Sequence, residues 1–361
     1  MILRRFGRVI RIEVFIRIAF YWLSAIVVFS SSLAQNAYAN EGLDLVRSTV
    51  APRIALVRFV SRGDFFEAYL DGVKRQAKAL GVELIEMGAR QDPLVQAEMV
   101  EQAIAMGVEG IIVQHGREDT LIEVSKKAVE TGIPIVAFDV DVKNENVPQI
   151  EQSDAEIVSL LTEQMLKDNG DRFNAAYIYF PGPTPLDRRD AVWQAFKKKQ
   201  PGVQELATFG TMDQPIPRFT ANQARAVLTV HSDVDVIFAP YDDFALGAKS
   251  AVQEADLSEQ IKIYSADITD RDIKEMREPG SPWVATAASN PYLLGEVSVR
   301  SVAMLMAGED PGRKIVVQPR LITRGLLNSM NITSLKDLAR RMPEFADQDI
   351  AKPDWMPVPE R

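Results

Sequence analysis

Asp139 and Asp267 close two similar apolar runs, IPIVAFD and IKIYSAD. An ionised carboxylate at such a place can accept two hydroxyl hydrogen bonds from one polyol. A facing pair of carboxylates also suits the general acid–base work of glycoside hydrolysis. Helix capping would explain either residue alone, since Asp after a strand often opens a helix, but the match between two halves of the chain favours ligand contact. Arg188 and Arg189 follow the loop GPTPLD at a helix start, where a planar guanidinium brackets ring and exocyclic oxygens. One of the two is expected to face the ligand. Phe65 and Phe66 precede a helix, and an aromatic face there packs on the C–H patch of a sugar ring, although Phe66 also fits that helix's own apolar spacing. His115 ends a strand at a loop and can donate to a hydroxyl, whereas His231 lies at a helix end before a turn.

Other chemistries find little support. The chain has no cysteine and two histidines, which excludes disulfides, zinc thiolates, iron–sulfur clusters and a cysteine nucleophile. HExxH, GxSxG, Walker A and GxGxxG patterns are absent, leaving no readable metal or cofactor motif. DVDVKNEN at 139–146 lacks the glycine and terminal glutamate of a calcium loop. No metal and no cofactor are expected. The net charge is −9, although residues 1–39 carry five arginines against Glu13, so the rest is more acidic still and disfavours nucleic acid as a partner.

Positioning these residues requires strands that end at a common edge. The 361 residues, 47% hydrophobic and 25% charged, suffice for about two domains with sizeable cores. Apolar runs at 53–59, 82–87, 111–114 and 133–139 alternate with helical spacing at 65–80, 94–106 and 120–131. The alternation resumes with runs at 175–180, 203–209, 234–240 and 261–267 and helices at 187–199, 221–230 and from Phe244. Strands separated by single helices imply parallel sheets. IALVRF matches AAYIYF, GIIVQ matches DVIFAP, and IPIVAFD matches IKIYSAD. The fold class is therefore α/β, with two Rossmann-like lobes. Ligands of open parallel sheets bind beyond the carboxyl ends of strands, so the loops at 60–64, 114–118, 139–143, 181–190, 241–243, 267–270 and 289–292 are expected to line a cleft.

The first 17 residues are Arg-rich, residues 18–29 are mostly apolar, and Ala37-Tyr38-Ala39 offers small residues two apart. That is the pattern of a secretory signal peptide over residues 1–39, and the apolar run is short for a membrane span. The mature chain is expected in a bacterial periplasm.

The first strand with GDFFEAYLDGVKRQAKALG, then GVEGIIVQ, IPIVAFD, SDVDVIFAPYDDFALGA and NPYLLGE together resemble the ribose-binding-protein-like type I periplasmic sugar-binding proteins of bacterial ABC importers. The resemblance runs from about Arg53 to Leu327. It implies two lobes joined by a three-crossover hinge near Ser153, Ser289 and Pro319, with residues 52–153 plus 290–319 in the first lobe and 154–289 plus 320–330 in the second. A short helix and surface tail would follow at 331–361. It also implies that Phe65 and Phe66 stack on the sugar, that Asp139 and Asp267 accept its hydroxyls, that Arg189 brackets it, and that Ser289 or Asn290 contacts it at the hinge. The chain departs from the family pattern where Val140 follows Asp139, where Tyr241 precedes Asp242, and where Gly63-Asp64 precedes the two phenylalanines. Tyr241 and Asp64 thus join the candidate site and point away from a simple ribose pocket.

The expected function is capture of a sugar or polyol and delivery to an ABC permease in the inner membrane, by a monomer without catalysis. Sensing for a chemoreceptor or histidine kinase is the alternative, and a glycosidase using Asp139 and Asp267 is the enzymatic rival. Alanine at Asp267 or Arg189 is expected to abolish binding and leave the ligand-free fold nearly intact.

Overall fold

The computed structural model describes residues 51–346 and 348–359. The first half runs β1 (Arg53–Arg58), α1 (Asp64–Leu80), β2 (Glu83–Gly88), α2 (Pro93–Ala105), β3 (Gly110–Gln114), α3 (Glu118–Glu130), β4 (Ile135–Phe138) and β5 (Gln149–Gln152). The second runs α4 (Asp154–Asn169), β6 (Phe173–Ile178), α5 (Thr184–Lys199), β7 (Val203–Phe209), α6 (Ile216–Val230), β8 (Val236–Ala239), α7 (Asp242–Glu254), β9 (Lys262–Ala266), α8 (Asp270–Arg277) and β10 (Trp283–Ala288). Then follow α9 (Pro291–Met306), β11 (Lys314–Val317), β12 (Arg320–Thr323), α10 (Arg324–Ser329), α11 (Leu335–Arg341) and α12 (Pro343–Ala346).

These strands build two six-stranded sheets, ordered β11-β5-β4-β3-β1-β2 and β12-β10-β9-β8-β6-β7. Every pairing is parallel except β10 with β12. Helices cover both faces, so inner strands such as β3, β4 and β8 are buried throughout. That is why they read as unbroken apolar runs rather than alternating ones. The matched segments occupy matched places: β1 and β6, β3 and β8, β4 and β9 hold the same positions in the two sheets.

The chain passes between the sheets after β5, after β10 and after β11. The first two passages end in well-capped helices. Ser153 accepts from Glu156 N at 3.4 Å to start α4, and Asn290 accepts from Tyr292 N at 3.0 Å to start α9. α9 returns to the first lobe by lying tightly on α1. A Cβ on Gly72 would come within 2.0 Å of the Tyr292 carbonyl oxygen, and one on Gly295 within 2.1 Å of that of Tyr69. Only glycine permits this approach.

The C-terminal segment is sewn to both lobes rather than lying loosely on the surface. Leu335, Leu338 and Phe345 are buried in the core of the second lobe. Gln348 then donates to the Gln318 carbonyl at 3.0 Å and accepts from its N–H at 2.8 Å. Beyond it, Met356 is buried with the first-lobe core, Trp355 donates to Glu309 at 2.7 Å, and Gln76 donates to the Pro357 carbonyl at 2.7 Å. Met356→Ala is expected to cost about 2–3 kcal/mol, as for other buried large-to-small changes. A lower urea midpoint at unchanged slope checks this.

The expected leader at 1–39 lies outside the described residues. Among the described residues no helix is long and apolar enough to cross a membrane.

Candidate functional site

His115, Asp139 and Asp267 each stand one residue beyond a strand, after β3, β4 and β9, and each has a positive φ, of 53°, 51° and 71°. Non-glycine residues rarely adopt this left-handed region, and holding one there costs on the order of 1–3 kcal/mol. The sheet enforces it, because each N–H still bonds to the next strand: His115 to Phe138 at 2.8 Å, Asp139 to Ile150 at 2.9 Å and Asp267 to Ala287 at 3.1 Å. The backbone thus turns away immediately after its last ladder bond. All three side chains line one cavity of about 400 Å³ between the lobes.

Arg189 organises the polar end of this cavity. Its Nε donates to Asp154 Oδ1 at 2.8 Å, its Nη1 to Asp267 Oδ2 at 3.0 Å and to the Pro240 carbonyl at 2.7 Å, and its Nη2 to Asp267 Oδ1 at 3.2 Å. The side chain is only 2% exposed. Burial works against its charge, but Asp267 and Asp154 more than offset this and strengthen its hold on the proton. Gln152 Nε2 donates to the same Asp267 Oδ1 at 3.1 Å.

Asp139 is different. It is 2% exposed and neither of its carboxylate oxygens has a hydrogen-bond partner among the described residues. Burial, and then the charge of Asp154, push its pKa well above the usual carboxylate range. An unmet buried carboxyl is costly, and a sugar hydroxyl pair is the kind of group that would satisfy it. His115 lies beside it, packed edge-on against Phe66 and Phe138 with ring centroids 5.3 Å and 5.2 Å away. Burial first, then Arg189 and Arg188, lower its pKa to about 3, so its imidazole is neutral and free to serve a hydroxyl.

The remaining lining mixes Arg62, Gln91, Arg117, Thr184, Gln214 and Asp243 with large apolar side chains. Phe59 and Val60 follow β1, Phe180 and Leu186 follow β6, and Met212 and Ile216 follow β7. In the sheet order, β1, β6 and β7 lie on the side away from the crossovers, whereas Asp139, Gln152 and Asp267 follow β4, β5 and β9 close to them. The cavity therefore gathers its buried carboxyls toward the hinge and its largest apolar side chains toward the outer edge, where Arg62, Gln91 and Gln214 stand among them.

Of the residues singled out in the sequence, Phe65, Phe66, His115, Asp139, Arg189, Tyr241 and Asp267 line this cavity together. Asp64 does not; it lines a smaller neighbouring cavity with Asp242, Asp243 and Arg271. Ser289 is fully buried with its Oγ donating to the Val317 carbonyl at 2.6 Å. Asn290 serves as the cap of α9. Arg188 pairs with Glu151 at 3.1 Å, outside the cavity lining. Gln152, Asp154, Met212 and Ile216 carry no signal in the sequence that sets them apart, whereas the repeated Asp after an apolar run, Arg189 and His115 mark the polar end. Among the described residues no cluster of His, Cys, Asp or Glu is suited to a metal ion.

Beside the smaller cavity, Asp272 is fully buried and is pushed up to about 7 by that burial. Asp242 is raised well above the carboxylate range by burial and then by the charge of Asp272. Their folded-state pKa values exceed the unfolded ones, so the penalty for ionising them is absent at about pH 4 and accrues as the pH rises, through about 7 for Asp272. His115 acts oppositely, because below about pH 6.5 the unfolded chain takes up a proton that the folded state refuses. The carboxyls outnumber it. The thermal midpoint of the ligand-free protein is expected to be several degrees higher at pH 5.5 than at pH 8, and Asp272→Asn to flatten that slope; scanning calorimetry across the range checks both.

The pattern of the family described as "Periplasmic binding protein domain" matches residues 54–310. The chain is 23% identical over 304 residues to the ribose import binding protein of Escherichia coli, covering 84% of this chain and 97% of that one. It is 27% identical over 274 residues to a D-ribose/D-allose-binding protein of Pseudomonas aeruginosa, covering 72% and 84%. Among solved structures it is similar to a 5-methylthioribose transporter solute-binding protein from Thermotoga lettingae in complex with 5-methylthioribose, with a TM-score of 0.82 and 38% identity over 84% of this chain and 95% of that one.

Proposed function

The chain belongs to the family of periplasmic binding protein domains, and from that premise we propose that its cleft takes a pentose bearing an apolar substituent, with 5-methylthioribose as the model compound. As in its relatives, the general activity is that of a solute-binding protein, which captures a sugar or polyol between two lobes for an ABC importer. The lobes bind from both sides, so the ligand stabilises the closed arrangement over the open one by its differential contacts. The closed form is what the permease receives.

The observation that carries the substrate reading is the division of the cavity. The hydroxyl-bearing ring belongs at the hinge end, with Asp139, Arg189, Asp267 and Gln152, and His115 at its side. The substituent belongs against Phe180, Leu186, Met212 and Ile216. At the hinge end the buried guanidinium of Arg189 is already paired with Asp154 and Asp267, which leaves it no spare compensation for a sugar acid directed there. The role is non-catalytic, carried out in the periplasm by a monomer whose lobes divide near residues 153, 289 and 319.

A thermal-shift titration of residues 40–361 with 5-methylthioribose, ribose, allose, xylitol and ribose 5-phosphate tests this. The 5-methylthioribose is expected to give the largest rise, since a ligand at about a thousandfold over its Kd stabilises by about 4 kcal/mol, which is several degrees at this chain length. The sugar recovered from the denatured complex should be chemically unchanged. A larger shift with ribose than with 5-methylthioribose refutes the substrate reading, and a hydrolysed product refutes the non-catalytic one.

A further inference from the structure

Gln152 and Ser289 are the middle members of a short buried hydrogen-bond run that starts at the carboxylate of Asp267, ends at the Val317 carbonyl and touches all three passages between the lobes. Gln152 ends β5, at the first passage, and donates through Nε2 to Asp267 Oδ1 at 3.1 Å. Its Oε1 accepts from the backbone N–H of Ser289, at the second passage, at 3.4 Å. Ser289 Oγ donates to the carbonyl of Val317, at the third, at 2.6 Å. Gln152 is 2% exposed and Ser289 fully buried. The amide cannot turn over, because a carboxylate faces its NH₂ and an N–H faces its oxygen.

Neither side chain caps the helix that begins beside it. The helices that begin beside them are capped by their neighbours Ser153 and Asn290. Both are buried, and a buried amide and a buried hydroxyl are costly unless paired. What the pair does accomplish is to make the position of Asp267 and the backbone angles of the three passages interdependent. We propose that Gln152 and Ser289 are positioning residues that transmit sugar occupancy at Asp267 to the hinge, a role that rests on ligand capture by lobe closure. A sugar hydroxyl on Asp267 fixes that carboxylate, the carboxylate fixes the Gln152 amide, and the amide and the Ser289 hydroxyl hold the second and third passages in the closed geometry. In this proposal the run is made in the closed arrangement and broken in the open one, so its bonds count toward the closed state alone. Ser289, expected from the resemblance to touch the sugar, acts here at one remove.

The chain has no cysteine, so dyes can be placed singly on the two lobes through Lys126→Cys and Lys198→Cys, both at exposed positions. The experiment reads inter-lobe energy transfer and stopped-flow rates with 5-methylthioribose. Ser289→Ala is expected to weaken binding about tenfold, almost wholly through faster dissociation, and to leave a larger open fraction at saturation. Ser289→Thr, which keeps the hydroxyl, is expected to restore both. Gln152→Ala is expected to do at least as much harm, and the double variant no more than Gln152→Ala alone, since members of one network are not additive. Native dissociation and closure in Ser289→Ala, or additive effects in the double variant, overturn the proposal. Closure of the unsubstituted protein by ribose or allose but not by 5-methylthioribose refutes only the substrate reading, and the same comparison then proceeds with the sugar that closes it. If no sugar closes it, the ligand-free distance distribution decides: broader in Ser289→Ala supports the coupling, and an unchanged one refutes it.

Discussion

Arg189→Ala is expected to abolish sugar binding and also to lower folding stability by about 3–5 kcal/mol, the cost of removing one partner from a buried charge network. Its guanidinium is 2% exposed and is the common partner of Asp154 and Asp267. Without it those carboxylates stay buried near Asp139, whose own oxygens have no partner among the described residues. Burial has already raised Asp154 to about 6 even with the arginine bonded to it. The variant is therefore expected to take up protons on folding and to recover part of its stability below pH 6. Arg189→Lys is not a rescue, because one ammonium cannot span Asp154, Asp267 and the Pro240 carbonyl as the guanidinium fork does. Urea melts at pH 5.5 and pH 8, with calorimetric titration of 5-methylthioribose, check both parts. A variant that binds no sugar yet melts as the unsubstituted protein does would show that the arginine serves the ligand alone, which is what its position beside a cleft suggested from sequence.

That contrast shows where sequence reasoning stops. Alternating buried strands and helices are written as apolar runs and helical spacing, so the two parallel sheets, the repeat and the pairing of Asp139 with Asp267 were all legible. Strand direction placed six of the seven expected cleft loops, but residues 289–292 do not line the cavity, and the loops after β2 and β7, which do, are not among them. Burial of a charged residue is not written locally. Arg188 and Arg189 are adjacent and alike in the sequence, and only the turn of α5 places Arg189 inward against Asp154 and leaves Arg188 about a third exposed on Glu151. Gln152 escaped notice because β5 is four residues long and ends in polar side chains, a pattern shared with many loops. α5 and α6 begin earlier than their apolar spacing implied, at Thr184 and Ile216, because prolines open their first turns, where a missing N–H is harmless. The C-terminal segment carries few apolar residues per turn, yet Phe345 and Met356 are buried; the faces that receive them belong to distant parts of the chain.

The apolar end of the cavity supports the second large expected effect, a preference for 5-methylthioribose over ribose of roughly a hundredfold or more. Burying the two heavy atoms of a methylthio group contributes about 0.8 kcal/mol each, or roughly fifteenfold together. Ribose adds a second penalty, because its 5-hydroxyl would sit among Phe180, Leu186, Met212 and Ile216, where a hydroxyl without a partner costs about 1–3 kcal/mol. Both contributions depend on the outer wall and not on the hinge end. Phe180→Ala combined with Met212→Ala is therefore expected to cut the preference to about tenfold or less, mostly by weakening the methylthio sugar, while ribose affinity changes little. Each side chain is half-buried, so the fold should survive the change, and an unaltered melting curve confirms that. Asp139→Asn is the matching test of the polar end: it should weaken both sugars by similar factors, because both present the same ring hydroxyls. If the double variant weakens both sugars equally, or Asp139→Asn changes the ratio between them, the ring does not lie toward the hinge and the assignment of the two ends is reversed.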